Sequence, residues 1–443
     1  MRKASNLLAS LMLPRNITPL LFTALIAMPA CASSPSTDAQ AQVSSPQAAT
    51  QNTAQSRPSL SQSPLSQSQR FENWKTDFIS RAVAKGYSRT LVTRLIQPAQ
   101  INERALDRDR AQPEFSKPIW SYVESAASTS RLESGKAKLR EHTQVFQDVE
   151  GRYRVSPYVL TAIWGLETSY GRIMGNHDII SALSTFAFEG RRSQFGEAQL
   201  FAVLDIVRSG AVRPDQLTGS WAGAMGMTQF IPATFRDYAV DFNGDGNKDL
   251  WGSEADALGS AAHYLSRFGW RGDEPIYAEV KLPSGFDYAQ SDGRKKNINE
   301  WTAQGVAPIN GQRWSTDAGF LDAKLLVPAG AKGPIFLTFK NFDVIKKYNN
   351  STSYALGIGV LSEALRGKKA ITKAWPRSDK PVGRSDLKRM QEKLTALGYD
   401  TKGADGIVGP NTRRAIRAWQ STKGLAADGY IEQKLFKRIM DSR

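Results

Sequence analysis

The stretch 156–171 reads SPYVLTAIWGLETSYG. Ser156 followed by Pro157 predicts a helix start, because proline at the first helical position gives up no hydrogen bond. The spacing predicts helix over 157–169, with Gly171 available to end it. One carboxylate, Glu167, sits near that end beside Trp164 and Leu166, with no cation next to it in the sequence. Burial without a partner disfavours the charged form and raises a carboxyl pKa. A carboxyl still protonated near neutrality is what a general acid requires. The alternative is an ordinary solvated glutamate at a helix end, and this stretch alone does not choose between them.

Working outward, three further stretches bear on that choice. Residues 219–230 read GSWAGAMGMTQF. Small residues there allow close approach of backbone or ligand, and Ser220 and Gln229 offer uncharged hydrogen bonds of the kind sugars accept. A small-residue packing segment is the other reading. Residues 346–359, KKYNNSTSYALGIG, place Tyr348, Asn349 and Tyr354 around the start of another helix. Asn349 or Ser351 serves equally as its cap. Residues 241–256, DFNGDGNKDLWGSEAD, begin like a calcium loop: Asp241, Asn243, Asp245 and Gly246 fit the spacing, with Asn247 as a further oxygen donor. Gly252 stands where the closing glutamate belongs, so Asp256, or else Glu254, would have to complete the set. A metal-free Asx-rich turn, with Lys248 or Arg271 neutralising the aspartates, is the alternative.

The rest of the chain sets the frame. Its 443 residues allow two or three domains, and 41% hydrophobic with 23% charged residues is ordinary for a globular protein. The formal net charge of +16 favours anionic partners. One cysteine, Cys31, rules out an intrachain disulfide, and three scattered histidines give no usual zinc spacing. No required cofactor is expected; structural calcium is the open question. Residues 1–32 read as an export signal: Arg2, Lys3 and Arg15 precede a short apolar run over 19–30. The lone Cys31 points to lipidation and a membrane anchor, cleavage after Ala32 and soluble secretion being the alternative. Residues 33–69, without an aromatic before the body begins, read as a disordered tether. Helical patterns follow at 131–150, 197–208, 232–238, 254–268 and 352–366, with strands expected at 276–281 and 334–340. The fold class is therefore mainly α, with a small β element.

Taken together in this order, WGLETSYG and GSWAGAMGMTQF resemble the membrane-bound lytic murein transglycosylase B family (SLT domain 2), over roughly 70–376 and including DRDRAQPEFSKPIWSYV at 107–123. The resemblance implies a lysozyme-like helical domain. It implies cleavage of the MurNAc–GlcNAc β-1,4 bond of peptidoglycan with formation of a 1,6-anhydromuramoyl end. Glu167 would be the single acid/base, Ser220 would bond to or orient it, and Gln229, Tyr264, Tyr348, Asn349 and Tyr354 would line the groove. Two departures stand out: an extra residue in the calcium loop, and His263 before Tyr264 where asparagine is expected. Hydrolases of glycosides use two carboxyl groups, about 5–5.5 Å apart when retaining and about 6.5–9.5 Å when inverting. None of these stretches supplies a second one, so the substrate's own C6 hydroxyl would act as nucleophile.

After a linker at 377–383, residues 384–443 resemble the three-helix peptidoglycan-binding domain (type 1). Leu387, Met390, Leu394 and Leu397 share one helix face, and Asp405-Gly406 and Asp428-Gly429 mark repeated turns. From 377 onward 15 Lys and Arg stand against 8 Asp and Glu, which suits stem-peptide carboxylates. Arg413, Arg414 and Arg417 are either that binding face or a solvated basic surface. Glycan strands and stem peptides are the expected partners, and a monomer is expected. Nucleic acid is not: no nucleic-acid motif accompanies the sequence pI of 9.8. A hydrolytic muramidase and a non-catalytic wall-binding protein are the rival functions.

Overall fold

The computed structural model describes residues 65–111, 118–189 and 191–443, with only the backbone of 108–111. The signal segment 1–32, Cys31 and most of the 33–69 segment lie outside the described residues. The first described helix, Gln67–Ala84, starts earlier than the end assigned to the tether. Ser66 and Gln69 close a reciprocal capping box there, and Phe71, Phe78 and Ile79 bury its apolar face.

The body is helical. The predicted helices appear as Pro157–Thr168, Ser193–Arg208, Pro232–Tyr238, Glu254–Arg267 and Thr352–Leu365. The single helix expected over 131–150 is two, Thr129–Glu141 and Thr143–Tyr153, meeting at His142. Thr143 Oγ1 donates back toward the carbonyls of Leu139 and Arg140, a side-chain bond that competes with helix continuation. The buried helix Pro157–Thr168 packs against Thr352–Leu365 and Thr129–Glu141. That sandwich fixes the axis on which Glu167 is mounted. Ser156 is the N-cap residue of this helix, but its hydroxyl makes no capping bond and instead accepts from Arg366 Nη2 at 2.8 Å.

The β element is a five-stranded antiparallel sheet built from Tyr277–Lys281, Lys295–Asn297, Ala307–Pro308, Asp322–Leu326 and Ile335–Thr338. Counting these in chain order, the spatial order is second, fourth, fifth, first, third. It has its own core around Trp301, Ile298, Leu325 and Leu337. The C-terminal domain folds as three helices, Arg384–Ala396, Pro410–Thr422 and Gln433–Met440, around Met390, Ile416, Trp419 and Ile439. The segment expected as a free linker is not free. Asp379 is buried, and Lys380 and Pro381 carbonyls accept from Gln433.

Candidate active site

Glu167 lies in the last turn of its helix, which ends at Thr168. The reversal is not made by Gly171 alone: Ser169, Tyr170 and Gly171 all have positive φ. Thr168 pins it, its hydroxyl donating to Met227 O at 2.7 Å and accepting from Gly171 N at 3.0 Å. Tyr170 then folds back across Gly165, where a Cβ would come within 2.7 Å of the ring. Its hydroxyl donates to Arg131 O at 2.7 Å. The acid is thereby joined to the 219–230 segment through Thr168 and Met227.

The partner of Glu167 is a phenol. Tyr354, 3% exposed, donates to Glu167 Oε1 at 2.5 Å. Burial pushes the Glu167 carboxyl up to about 7, and the Tyr354 hydrogen bond acts against that rise. Burial and the nearby Glu167 charge hold both Tyr348 and Tyr354 well above the usual phenol range. Tyr348 is tethered by donating to Thr228 O. Ser351 is the cap of the helix Thr352–Leu365, accepting from Tyr354 N at 3.2 Å. Asn349 is exposed at the end of the preceding helix, Lys340–Tyr348.

Ser220 does not bond to Glu167. It closes a tight turn, its hydroxyl accepting from Ala224 N at 3.0 Å while its own N–H donates to Ala224 O at 2.8 Å. Gln229, at φ 52°, commits its amide N–H groups to Met174 O and Gly226 O, which orders the same turn region. Tyr264 lies behind Tyr348, one layer further from Glu167's partner Tyr354. It is 8% exposed, packs against Tyr238, Phe268 and Tyr348, and donates to Lys347 O at 2.6 Å. Its bonded hydroxyl and ring contacts hold Tyr348 in place from behind. His263 likewise faces Tyr238 O at 2.9 Å and the Tyr153 ring. Sequence reasoning missed Tyr122, 37% exposed on the helix Ile119–Ala126, whose ring lies against Gly357 on the helix that carries Tyr354. Its only sequence signal is a tyrosine interrupting a short apolar helix.

The 241–256 loop brings one oxygen each from Asp241, Asp245 and Asp256 within 4.8 Å of one another. Asp256, 0% exposed, closes the loop in place of Glu254: its oxygens accept from Phe242 N, Asn243 N and Asp249 N. Asn243 Nδ2 and Asn247 N both donate to Asp245, and these bonds hold its carboxyl below the usual range. An all-oxygen set with three carboxyl groups fits a hard divalent cation. Arg271 does not neutralise these aspartates, being paired with Glu274.

A half-buried helix-end glutamate bonded by a tyrosine, beside a glycine-rich turn in a helical body, defines a transglycosylase domain: the chain belongs to the Transglycosylase SLT domain family, whose model matches residues 70–363. A peptidoglycan binding domain model matches 383–439. Among known proteins, the chain is 36% identical over 219 residues to the membrane-bound lytic murein transglycosylase B of Escherichia coli (strain K12). That match covers 48% of this chain and 58% of the relative, just over half its length. The structure of SltB3 from Pseudomonas aeruginosa in complex with NAG-anhNAM-pentapeptide is 44% identical, covering 84% of this chain and 99% of that one at a TM-score of 0.80. The Escherichia coli lytic transglycosylase Slt35 in complex with calcium is 28% identical, covering 66% and 92% at a TM-score of 0.58.

Proposed function

We propose that this chain is a lytic murein transglycosylase that cleaves the MurNAc–GlcNAc β-1,4 bond with Glu167 as its single acid/base. The observation that carries the reading is the state of that carboxyl: partly exposed, raised to about 7, and held by Tyr354. A group so poised delivers a proton and takes one back near neutrality. Glu167 protonates the departing GlcNAc O4 as the C1–O4 bond breaks. The MurNAc 2-acetamido group stabilises the developing positive charge at C1. Ionised Glu167 then removes the C6 hydroxyl proton as that oxygen bonds to C1. The proton returns to Glu167 and no water is consumed. Supporting this, burial and Tyr354 are the influences acting on Glu167, with no carboxylate among the described residues adding to them. The test is Glu167→Gln, which should fold and lose turnover of purified murein by ~10²–10⁴-fold or more. Near-wild-type turnover would overturn the assignment.

The substrate groove would use Tyr348, Asn349, Tyr354, Gln229 and the Ser220 turn, with Tyr122 at its edge. Stem peptides would be contacted by the C-terminal domain. Asp241, Asp245 and Asp256, supported by Asn243 and Asn247, would hold calcium in a structural role. Millimolar calcium should then raise the melting temperature of the wild type over a chelated sample, and Asp245→Ala should abolish that difference. Equal melting of the wild type with and without calcium would remove the ion from the account. Cys31 would carry a lipid that holds a monomeric periplasmic enzyme at the outer membrane, in keeping with a relative named as membrane-bound. Cys31→Ser should then leave the membrane fraction; sedimentation with membranes after a high-salt wash would exclude lipidation as the anchor.

A further inference from the structure

Of the three arginines on the second helix of the C-terminal domain, Arg414 is exposed, Arg413 is half-buried and Arg417 is turned inward. Arg417, on the helix Pro410–Thr422, is 6% exposed, and its Nη2 donates to Asp292 of the β element. Its Nη1 is buried with no hydrogen-bond partner among the described residues. A guanidinium matches a carboxylate through two parallel bonds, and an unpartnered buried donor is costly. Asp292 therefore fills the site only in part.

A second anchor lies alongside. Asp428 Oδ1 accepts from Gln420 Nε2 at 2.8 Å and Tyr430 N at 3.0 Å, which leaves Oδ2 facing outward to accept Ala331 N at 2.8 Å. A Cβ on Gly330 would come within 2.7 Å of that oxygen, so only a side-chain-free backbone approaches this closely. The first repeat builds the same turn, with Gln391 Nε2 donating to Asp405 Oδ1 at 3.1 Å and Gln391 Oε1 accepting from Gly406 N at 2.7 Å, but Asp405 remains exposed. One repeat presents its carboxylate to solvent; the other has it covered by a small-residue loop. An amide N–H beside a small side chain, followed by a carboxylate, is the chemistry of a peptide ending in alanine.

We propose that the Arg417–Asp428 face is a recognition site for the terminal carboxylate and adjacent amide of a short alanine-ending peptide, and that Asp292 and the Ala331 N–H occupy it in cis. This deepens the wall-binding part of the proposed function and rests on it. A wall peptide competes with the internal ligand, so binding loosens the domain from the β element.

The experiment is calorimetric titration of the full chain with acetyl-D-Ala-D-Ala and with its carboxamide. An internal ligand that holds a site about nine-tenths of the time lowers apparent affinity about tenfold. Asp292→Asn should therefore bind the free acid on the order of tenfold more tightly than wild type, with no gain for the carboxamide. Arg417→Gln, made in the Asp292→Asn background so that no carboxylate loses its partner, should lose that gain. Equal affinity of wild type and Asp292→Asn, no binding by either, or carboxamide bound as well as acid would each overturn the proposal. Anhydro-product formation, followed in the same samples, keeps the two readings apart. Competition without turnover sinks the catalytic reading alone, and turnover without competition sinks this one alone.

Discussion

At the residue scale the account turns on one carboxyl group and one phenol. The acid must be protonated to release the leaving group, so kcat/KM should fall as pH rises through about 7, the position to which burial moves Glu167. The Tyr354 hydrogen bond favours the charged form. Tyr354→Phe should therefore move that alkaline limb to higher pH as well as lower the rate; a limb that stays in place would contradict the assigned pairing. The same shift acts on stability. A carboxyl whose folded pKa lies above its unfolded value gives stability that is fully present below about pH 4.5 and lost as pH rises to about 7. Glu167→Gln should therefore melt higher than wild type at pH 8, by a gap of a few kcal/mol at most, and the gap should close at pH 4. Glu167 stood out in sequence only with GSWAGAMGMTQF beside it, since its own stretch leaves a solvated helix-end glutamate equally open. Its partner was not legible, since Tyr354 lies 187 residues away. The hydroxyl partners of Ser220 and Tyr264 were not legible either: polar atoms that look free in a sequence are satisfied by backbone four residues on, or by a carbonyl in another helix.

At the scale of elements, the helix Pro157–Thr168 could be read nearly to its ends, because Pro157 and its unbroken apolar face are local signals. What holds its final turn is not local. Tyr170 lies over Gly165 and Gly135, so a methyl group at either meets its ring or hydroxyl at 2.6–2.7 Å. Gly165→Ala should cost about 1–3 kcal/mol in denaturant unfolding. Because Glu167 is two residues further on, it should lower kcat more than it changes KM. Unaltered stability and kcat would show that Tyr170 does not set the acid's position. The sheet was the least legible element. Its outer strands are two or three residues long, and their pairing depends on partners far away in the chain. Only the apolar runs near 277–281 and 335–338 carried a sequence signal.

At the scale of the whole molecule, the sequence announces two domains and hides how they meet. Composition marks 377–383 as a linker, yet Arg417 and Asp292, 125 residues apart, join the C-terminal domain to the connection between the first two strands of the sheet. Trp375 packs against Trp120, so the catalytic body is closed before the linker begins. A chain ending at Trp375 should therefore retain turnover of short soluble muropeptides while binding sacculi less well. Equal sacculus binding by the two chains would place wall recognition elsewhere. The central claim is that one glutamate cleaves the glycan without water. It is tested most directly by digesting purified glycan strands in water enriched in heavy oxygen and weighing the products. The account predicts ends one water lighter than reducing sugars and free of the heavy isotope. Reducing ends that carry the heavy oxygen would contradict it and make the enzyme a hydrolase.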